Sequence, residues 1–120
     1  MNPHLPYLPA TWQCDLSDES LLWSDGVYAL FGLDRARRPD RGATVAMYDP
    51  ESRGLLEPRR RKAIASAGAF TFEARIIRPD GDARWMRISA DTQVTNGRVT
   101  HLYGTKQDIT SEMTERLSAL

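Results

Sequence analysis

Residues 70–108 read FTFEARIIRPDGDARWMRISADTQVTNGRVTHLYGTKQD, and this stretch decides the fold. From Phe70 to Ile77, Phe70, Phe72, Ala74 and Ile76 share one side while Thr71, Glu73, Arg75 and Ile77 share the other, the period-two signature of a half-buried strand. Pro79-Asp80-Gly81-Asp82 is a turn. The alternation resumes over Ala83–Asp91, with Met86, Ile88 and Ala90 opposite Trp85, Arg87 and Ser89. Asn96-Gly97 is a pair that two-residue hairpins favour, because both positions tolerate positive φ. Arg98–Asp108 then sets Leu102, Gly104 and Lys106 against Val99, His101, Tyr103 and Thr105. Three consecutive antiparallel strands are predicted.

Working outward, Thr11–Leu16 alternates Trp12, Cys14 and Leu16 with Gln13 and Asp15, and Leu21–Trp23 follows a polar turn, which makes a first hairpin. Ser24 is placed to cap a short helix carrying Val27, Leu30 and Phe31, with Gly32 as its stop. Residues 34–42 are a polar loop, and 43–48 form a weak helical stretch. Asp49-Pro50 starts a longer helix ending near Gly68, in which Pro58 predicts a kink or restart. Thr110 is placed to cap a closing helix with Met113, Leu117 and Leu120 on one side. The economical packing is α+β: one five-stranded antiparallel sheet with short helices on one face. The expected organisation is a proline-rich arm over 1–10, one domain over 11–110, and the start of a connecting helix over 111–120.

The remaining arithmetic excludes several function classes. A chain of 120 residues accommodates one domain with a real core. Sixteen basic residues balance sixteen acidic ones, so no global positive field draws the chain to nucleic acid or to an anionic membrane. One cysteine and two histidines cannot build an internal disulfide or a multi-cysteine zinc cage, and no metal site is expected. No apolar run reaches the roughly 20 residues a spanning helix needs, and residues 1–10 carry no secretory signal. A cytoplasmic location with neither membrane nor nucleic-acid partner is the expectation. Arg59-Arg60-Arg61-Lys62 reads as a solvated helix face, since no aromatics interleave with it to stack on bases.

Trp12-Gln13-Cys14-Asp15-Leu16, Trp23-Ser24, Leu30-Phe31-Gly32-Leu33, Phe72-Glu73-Ala74-Arg75, Arg78-Pro79-Asp80-Gly81, Arg84-Trp85 and Gly104-Thr105-Lys106-Gln107-Asp108-Ile109-Thr110, in this order, resemble a PAS domain of the subclass common in bacterial signalling proteins. The resemblance spans about residues 11–112. It implies a sensory or protein-interaction module feeding a histidine kinase, a cyclic-dinucleotide enzyme or a transcription factor. It also implies a signal relay through Arg78, Asp80, Asp108, Ile109 and Thr110 into the helix that follows. Where the family often has His-Pro-x-Asp, this chain has Tyr48-Asp49-Pro50-Glu51.

The candidate ligand pocket is Phe72, Ile76, Met86, Ile88, Leu102 and Lys106, the apolar side of the meander. Lys106 has two readings. Either it faces the pocket to meet an anionic group or a carboxylate, or it lies near the strand end with its head group in water. The opposite sheet face carries Trp12, Ile77, Trp85, Val99 and Tyr103, an apolar patch for the N-terminal arm, the exit helix or a second copy to cover, of which a symmetric homodimer with the arm contributing is the expectation. No cofactor is expected, although an unidentified small ligand has room in such a fold. Haem-binding relatives usually supply a long-helix histidine that residues 50–68 lack, and photoactive flavin sites need a cysteine in Asn-Cys-Arg-Phe, whereas Cys14 lies on the first strand. No catalytic set can be assembled, so the chain is not expected to be an enzyme. The competing reading is a small isomerase- or thioesterase-like enzyme using the pocket between sheet and helices, which requires a carboxylate or histidine of perturbed pKa.

Overall fold

A computed structural model describes residues 9–119 of the chain. The elements run β1 (Ala10–Asp15), β2 (Ser20–Trp23), α1 (Asp25–Phe31), α2 (Arg41–Ala46), α3 (Pro50–Ser66), β3 (Phe70–Ile77), β4 (Ala83–Thr95), β5 (Arg98–Asp108) and α4 (Thr110–Ser118). All five strands form one antiparallel sheet in the order β2-β1-β5-β4-β3. The meander is as expected, and β5 also pairs with β1, which closes the two hairpins into a single surface.

Alternation fixes which face is covered. Phe72, Ala74, Ile76, Met86, Ile88, Ala90, Leu102 and Cys14 are all buried. Of these, Phe72, Ala74, Ile76, Met86 and Ile88 pack with Val27, Leu30 and Phe31 of α1, Tyr48 after α2, and Leu56 of α3. The edge of β3 is met by the segment before α3. Asp49 N donates to Arg75 O at 2.9 Å and Ile77 N donates to Met47 O at 2.8 Å. The buried Ser52 hydroxyl accepts from Arg75 N at 2.9 Å, so the edge is occupied rather than left as a template for aggregation.

Asp49 caps α3 through its carboxylate on Ser52 N, and Asp40 caps α2 in the same way on Ala43 N. Two local expectations need correction. The helix α3 runs through Pro58 without restarting. Proline cannot donate to the carbonyl one turn back, which here belongs to glycine, Gly54, and Arg59 Nη1 turns back to the adjacent Leu55 carbonyl at 3.1 Å. The helix ends near Gly68 as expected, with Ala67 in the left-handed conformation at φ 52°. The Ser24 hydroxyl does not cap α1; it accepts from Thr11 N at 3.0 Å and pins α1 to β1.

The helices α1–α3 cover one face, but α4 lies by the other. Glu112 and Arg116 of α4 pair with Arg87 and Glu73, whose side chains alternate away from the core. Arg87 also pairs with Glu73 at 2.9 Å, and these two arginines hold the Glu73 carboxyl below its ordinary pKa. The exit helix is thus tied by exposed ion pairs rather than by a packed interface.

Candidate functional site

Lys106 occupies the middle of the sheet, opposite Ala10 on one side and Ile88 on the other. Its parity with Leu102 turns it toward the helices, and it is only 7% exposed. Of its two readings, the pocket-facing one describes its placement, because β1 and β4 flank it and block the route to solvent along the strand. The ammonium sits among aromatic rings, 4.8 Å from the Phe31 centroid, 5.5 Å from Trp12, 5.8 Å from Tyr48 and 5.9 Å from Trp23. It donates to the Tyr48 hydroxyl at 3.3 Å. Among the described residues it joins no carboxylate ion pair. Burial pushes the Lys106 amine down to about 7, and the Arg41 guanidinium adds to the effect. Burial also raises the Tyr48 phenol, which therefore stays protonated.

A cavity of about 60 Å³ opens beside this amine. It has room for roughly four water molecules. Its walls are Trp12 and Cys14 of β1, Leu21 and Trp23 of β2, Arg41, Thr44 and Val45 of α2, Tyr48, Leu56 and Arg60 near or on α3, and Phe70, Ile88, Leu102 and Lys106. Of the expected pocket set, Ile88, Leu102 and Lys106 line the cavity, whereas Phe72, Ile76 and Met86 are buried in the core beside it. Arg41, Thr44 and Tyr48 are lining residues with no sequence signal, since they come from a short helix and a loop with no strong period.

The mouth is ionic. Glu19, at the tip of the first hairpin with φ 62°, accepts from Arg60 of α3 and lies 3.8 Å from Arg41 of α2. Arg41 also pairs with Glu57 at 2.7 Å. The Cys14 thiol donates to Glu19 at 3.5 Å, and burial followed by the Glu19 charge raises its pKa. Two of the arginines in the basic run are thus occupied: Arg60 at the mouth, and Arg59 over the Phe72 ring at 5.3 Å.

A second group of side chains joins α1 to α4. Arg78 donates to the Leu30 carbonyl at 2.9 Å and to the Ala29 carbonyl at 3.1 Å, which satisfies the open end of α1. The same guanidinium pairs with Asp82 at 3.2 Å. Arg84 binds Asp82 at 2.9 Å and Asp108 at 3.4 Å. Asp108 accepts from Thr110 N at 2.9 Å. The Thr110 hydroxyl accepts from Trp85 N at 3.0 Å, and Ile109 N donates to Trp85 O at 2.9 Å. Thr110 is therefore not the helix cap expected of it: Ile109 holds that position, and the hydroxyl ties the root of α4 to β4. Asp80 shapes the turn by accepting from Asp82 N. Asp82 and Arg84, the two middle links, lie outside the expected relay set, although the Arg-x-x-x-Asp-x-Arg spacing puts them in and beside the same turn.

On the open face, Ile77 and Tyr103 are exposed while Trp85 and Val99 are half-buried. Trp12 is a correction: it shares the covered side with Cys14, lines the cavity, and donates its indole N–H to Ser89 O and Thr105 O. Strand parity with buried Cys14 is the reason. His101 lies 3.6 Å from Asp15. Among the described residues no group of His, Cys, Asp and Glu is arranged to hold a metal, and no helix is long and apolar enough to cross a membrane.

A family model described as PAS fold matches residues 20–106. A search of curated proteins gives no match. Among solved structures, the N-terminal domain of a diguanylate cyclase with PAS/PAC sensor from Marinobacter aquaeolei superposes with a TM-score of 0.80 at 18% identity, covering 88% of this chain and 99% of that one. A sensory box histidine kinase/response regulator from Burkholderia thailandensis gives 0.78 at 15% identity over 92% and 84%. A light-oxygen-voltage protein from Rhodobacter sphaeroides gives 0.73 at 10% identity over 92% and 65%.

Proposed function

This chain belongs to the PAS fold family, and from that premise we propose that it is a non-catalytic sensor module whose cavity beside Lys106 takes a small ligand. The observation that carries this reading is the chain of polar contacts from α1 through Arg78, Asp82, Arg84 and Asp108 to Thr110. Phe31, the last residue of α1, touches the Lys106 head group, and the carbonyls just before it hold Arg78. A ligand that displaces the Phe31 ring shifts the end of α1, and Arg78 carries the shift to the root of α4. The effect requires that the ligand bind the two arrangements with different affinity. Structural neighbours attached to a diguanylate cyclase and a histidine kinase support an effector of that kind beyond α4.

The light-oxygen-voltage neighbours raise the question of a flavin. The residues here do not fit one. Trp23 and Phe31 stack at 4.9 Å across the site, and a cavity of about 60 Å³ is far below the several hundred Å³ of a cofactor pocket. The exposed Tyr103 and Ile77 support a homodimer through the open sheet face, next to the ion-paired α4.

The test is a chimaera in which residues 9–119 replace the sensor of a histidine kinase, paired with native mass spectrometry of the freshly purified chain. Retained small ligand, a dimer mass and kinase output lost on Arg84→Ala are expected. Output indifferent to both Arg84→Ala and Asp108→Ala would overturn the relay.

A further inference from the structure

We propose that Lys106 captures a small uncharged aldehyde as a reversible imine, making this domain a sensor of carbonyl compounds. The inference rests on the sensor reading above and deepens it by naming the ligand class. Three features of the site converge on it. The amine lines a cavity of about 60 Å³ behind an ionic mouth, and its room for about four heavy atoms suits a short aldehyde. Aromatic rings rather than a carboxylate surround it, the setting in which a desolvated lysine becomes a nucleophile. The remaining cations, Arg41 and Arg60, are already engaged by Glu57 and Glu19 and offer a ligand carboxylate no free partner.

The chemistry closes without a further reagent. The neutral amine attacks the carbonyl carbon, a C–N bond forms, and the C=O electron pair moves to oxygen. A proton passes from nitrogen to that oxygen, and the Tyr48 hydroxyl at 3.3 Å is placed to carry it. The hydroxyl then leaves with the remaining nitrogen proton as water, and the nitrogen lone pair forms the C=N bond. Amine plus aldehyde gives imine plus water, with no change of oxidation state. Cys14 and Arg41 are the other titratable groups facing the amine; the thiol is held protonated by its own surroundings and does not compete at neutral pH.

The sequence contains two lysines, Lys106 and the exposed Lys62, so the control lies in the same chain. The protein is incubated near pH 7 with propanal and sodium cyanoborohydride, and peptides are mapped by mass. About half of an amine titrating near 7 is neutral at that pH, against under about one part in a thousand for an ordinary lysine. We expect Lys106 to be propylated at least about tenfold faster than Lys62, and Tyr48→Phe to slow it. Lys106→Met, folded by circular dichroism, loses the fast-reacting site. Labelling of Lys62 as fast as Lys106, or none at Lys106 in a folded chain, would overturn the proposal, and equal trapping of pyruvate would overturn the preference for an uncharged ligand. If Lys106 resists propanal while native mass spectra still show a bound small molecule, the imine falls and the sensor reading stands. If Lys106 is trapped but the kinase chimaera ignores propanal, the carbonyl chemistry stands and the sensor reading falls.

Discussion

The Lys106 ammonium and the Tyr48 hydroxyl meet at 3.3 Å inside the fold, and neither has a carboxylate partner among the described residues. A neutral hydroxyl and four ring faces offset only part of the cost of desolvating a charge. The lysine therefore lowers stability in its charged form, and its neighbours keep that form poised against the neutral amine.

The first prediction follows from the sign of that cost. The folded-state pKa of Lys106, about 7, lies below that of the unfolded chain, so between them the unfolded state binds more protons. The penalty is fully present below pH 7 and is relieved as pH rises toward the ordinary lysine value. Above about pH 9 the raised Cys14 thiol acts in the opposite sense, since its folded form keeps a proton the unfolded chain loses. Lys106→Met removes the Lys106 contribution. Urea titrations should find the variant more stable than the parent by a few kcal/mol near pH 6, on the order set by replacing an unpaired buried charge with an isosteric apolar chain. The difference should shrink by pH 9; a pH-independent difference would place the Lys106 head group in water.

The mouth of the cavity supplies a second prediction. Glu19 holds Arg60 and Arg41 together across the hairpin tip, α2 and α3, and its charge helps to keep the Cys14 thiol protonated. Glu19→Gln weakens the ionic closure and removes that charge. Alkylation of Cys14 by iodoacetamide at pH 8 should accelerate several-fold with little loss of stability, because exposed ion pairs contribute about 1 kcal/mol or less. Unchanged alkylation would mean that Glu19 does not close the site.

How far the sequence could be read depended on whether a signal was local. The period-two pattern at Phe70–Ile77 and Ala83–Asp91 placed the meander and its buried face, because side-chain direction in a strand is set by parity alone. Asn96-Gly97 gave the turn, with both residues at positive φ as expected. Depth was not legible in the same way. Parity aimed Lys106 at the helices but could not tell a central position from an end, which depends on β1 pairing some 90 residues away in sequence. Tyr48 and Arg41 enter the site through tertiary packing of a short helix and a loop, for which no repeating pattern exists to be read.

Gly104 is required by contact rather than by backbone angle. A Cβ at this position would lie 2.0 Å from the Ser89 carbonyl oxygen, which is turned inward and received by the Trp12 indole at 3.2 Å. The atoms it would meet, on Ser89 and Ala90, belong to relatively rigid backbone, so the strain cannot be relieved by a side-chain rotation. Gly104→Ala should cost about 3 kcal/mol or more, in the range reserved for overpacking at buried backbone. Chemical denaturation measures it directly. A loss below about 1 kcal/mol would mean that β4 and β5 slide apart easily, and the Trp12 bridge would then carry no structural weight.

Asp108 separates two contributions to the root of α4. One carboxylate oxygen accepts from Thr110 N at 2.9 Å, while the other meets Arg84 at 3.4 Å and is the less exposed partner of that pair. Asp108→Asn keeps an oxygen for Thr110 N but drops the charge that holds Arg84, whereas Asp108→Ala removes both. The asparagine variant should lose about 1 kcal/mol or less and the alanine variant about 1–2 kcal/mol. Hydrogen exchange distinguishes them further. Met113 N, bonded to Ile109 O in the first turn of α4, should lose protection in Asp108→Ala and keep most of it in Asp108→Asn, while amides of β4 opposite Lys106 stay protected in both. In the kinase chimaera, Asp108→Asn should nonetheless uncouple output from ligand, because the link from Arg84 is cut while the helix remains formed. Signalling retained in Asp108→Asn but lost in Asp108→Ala would assign the coupling to the Thr110 bond instead and remove Arg84 from the path.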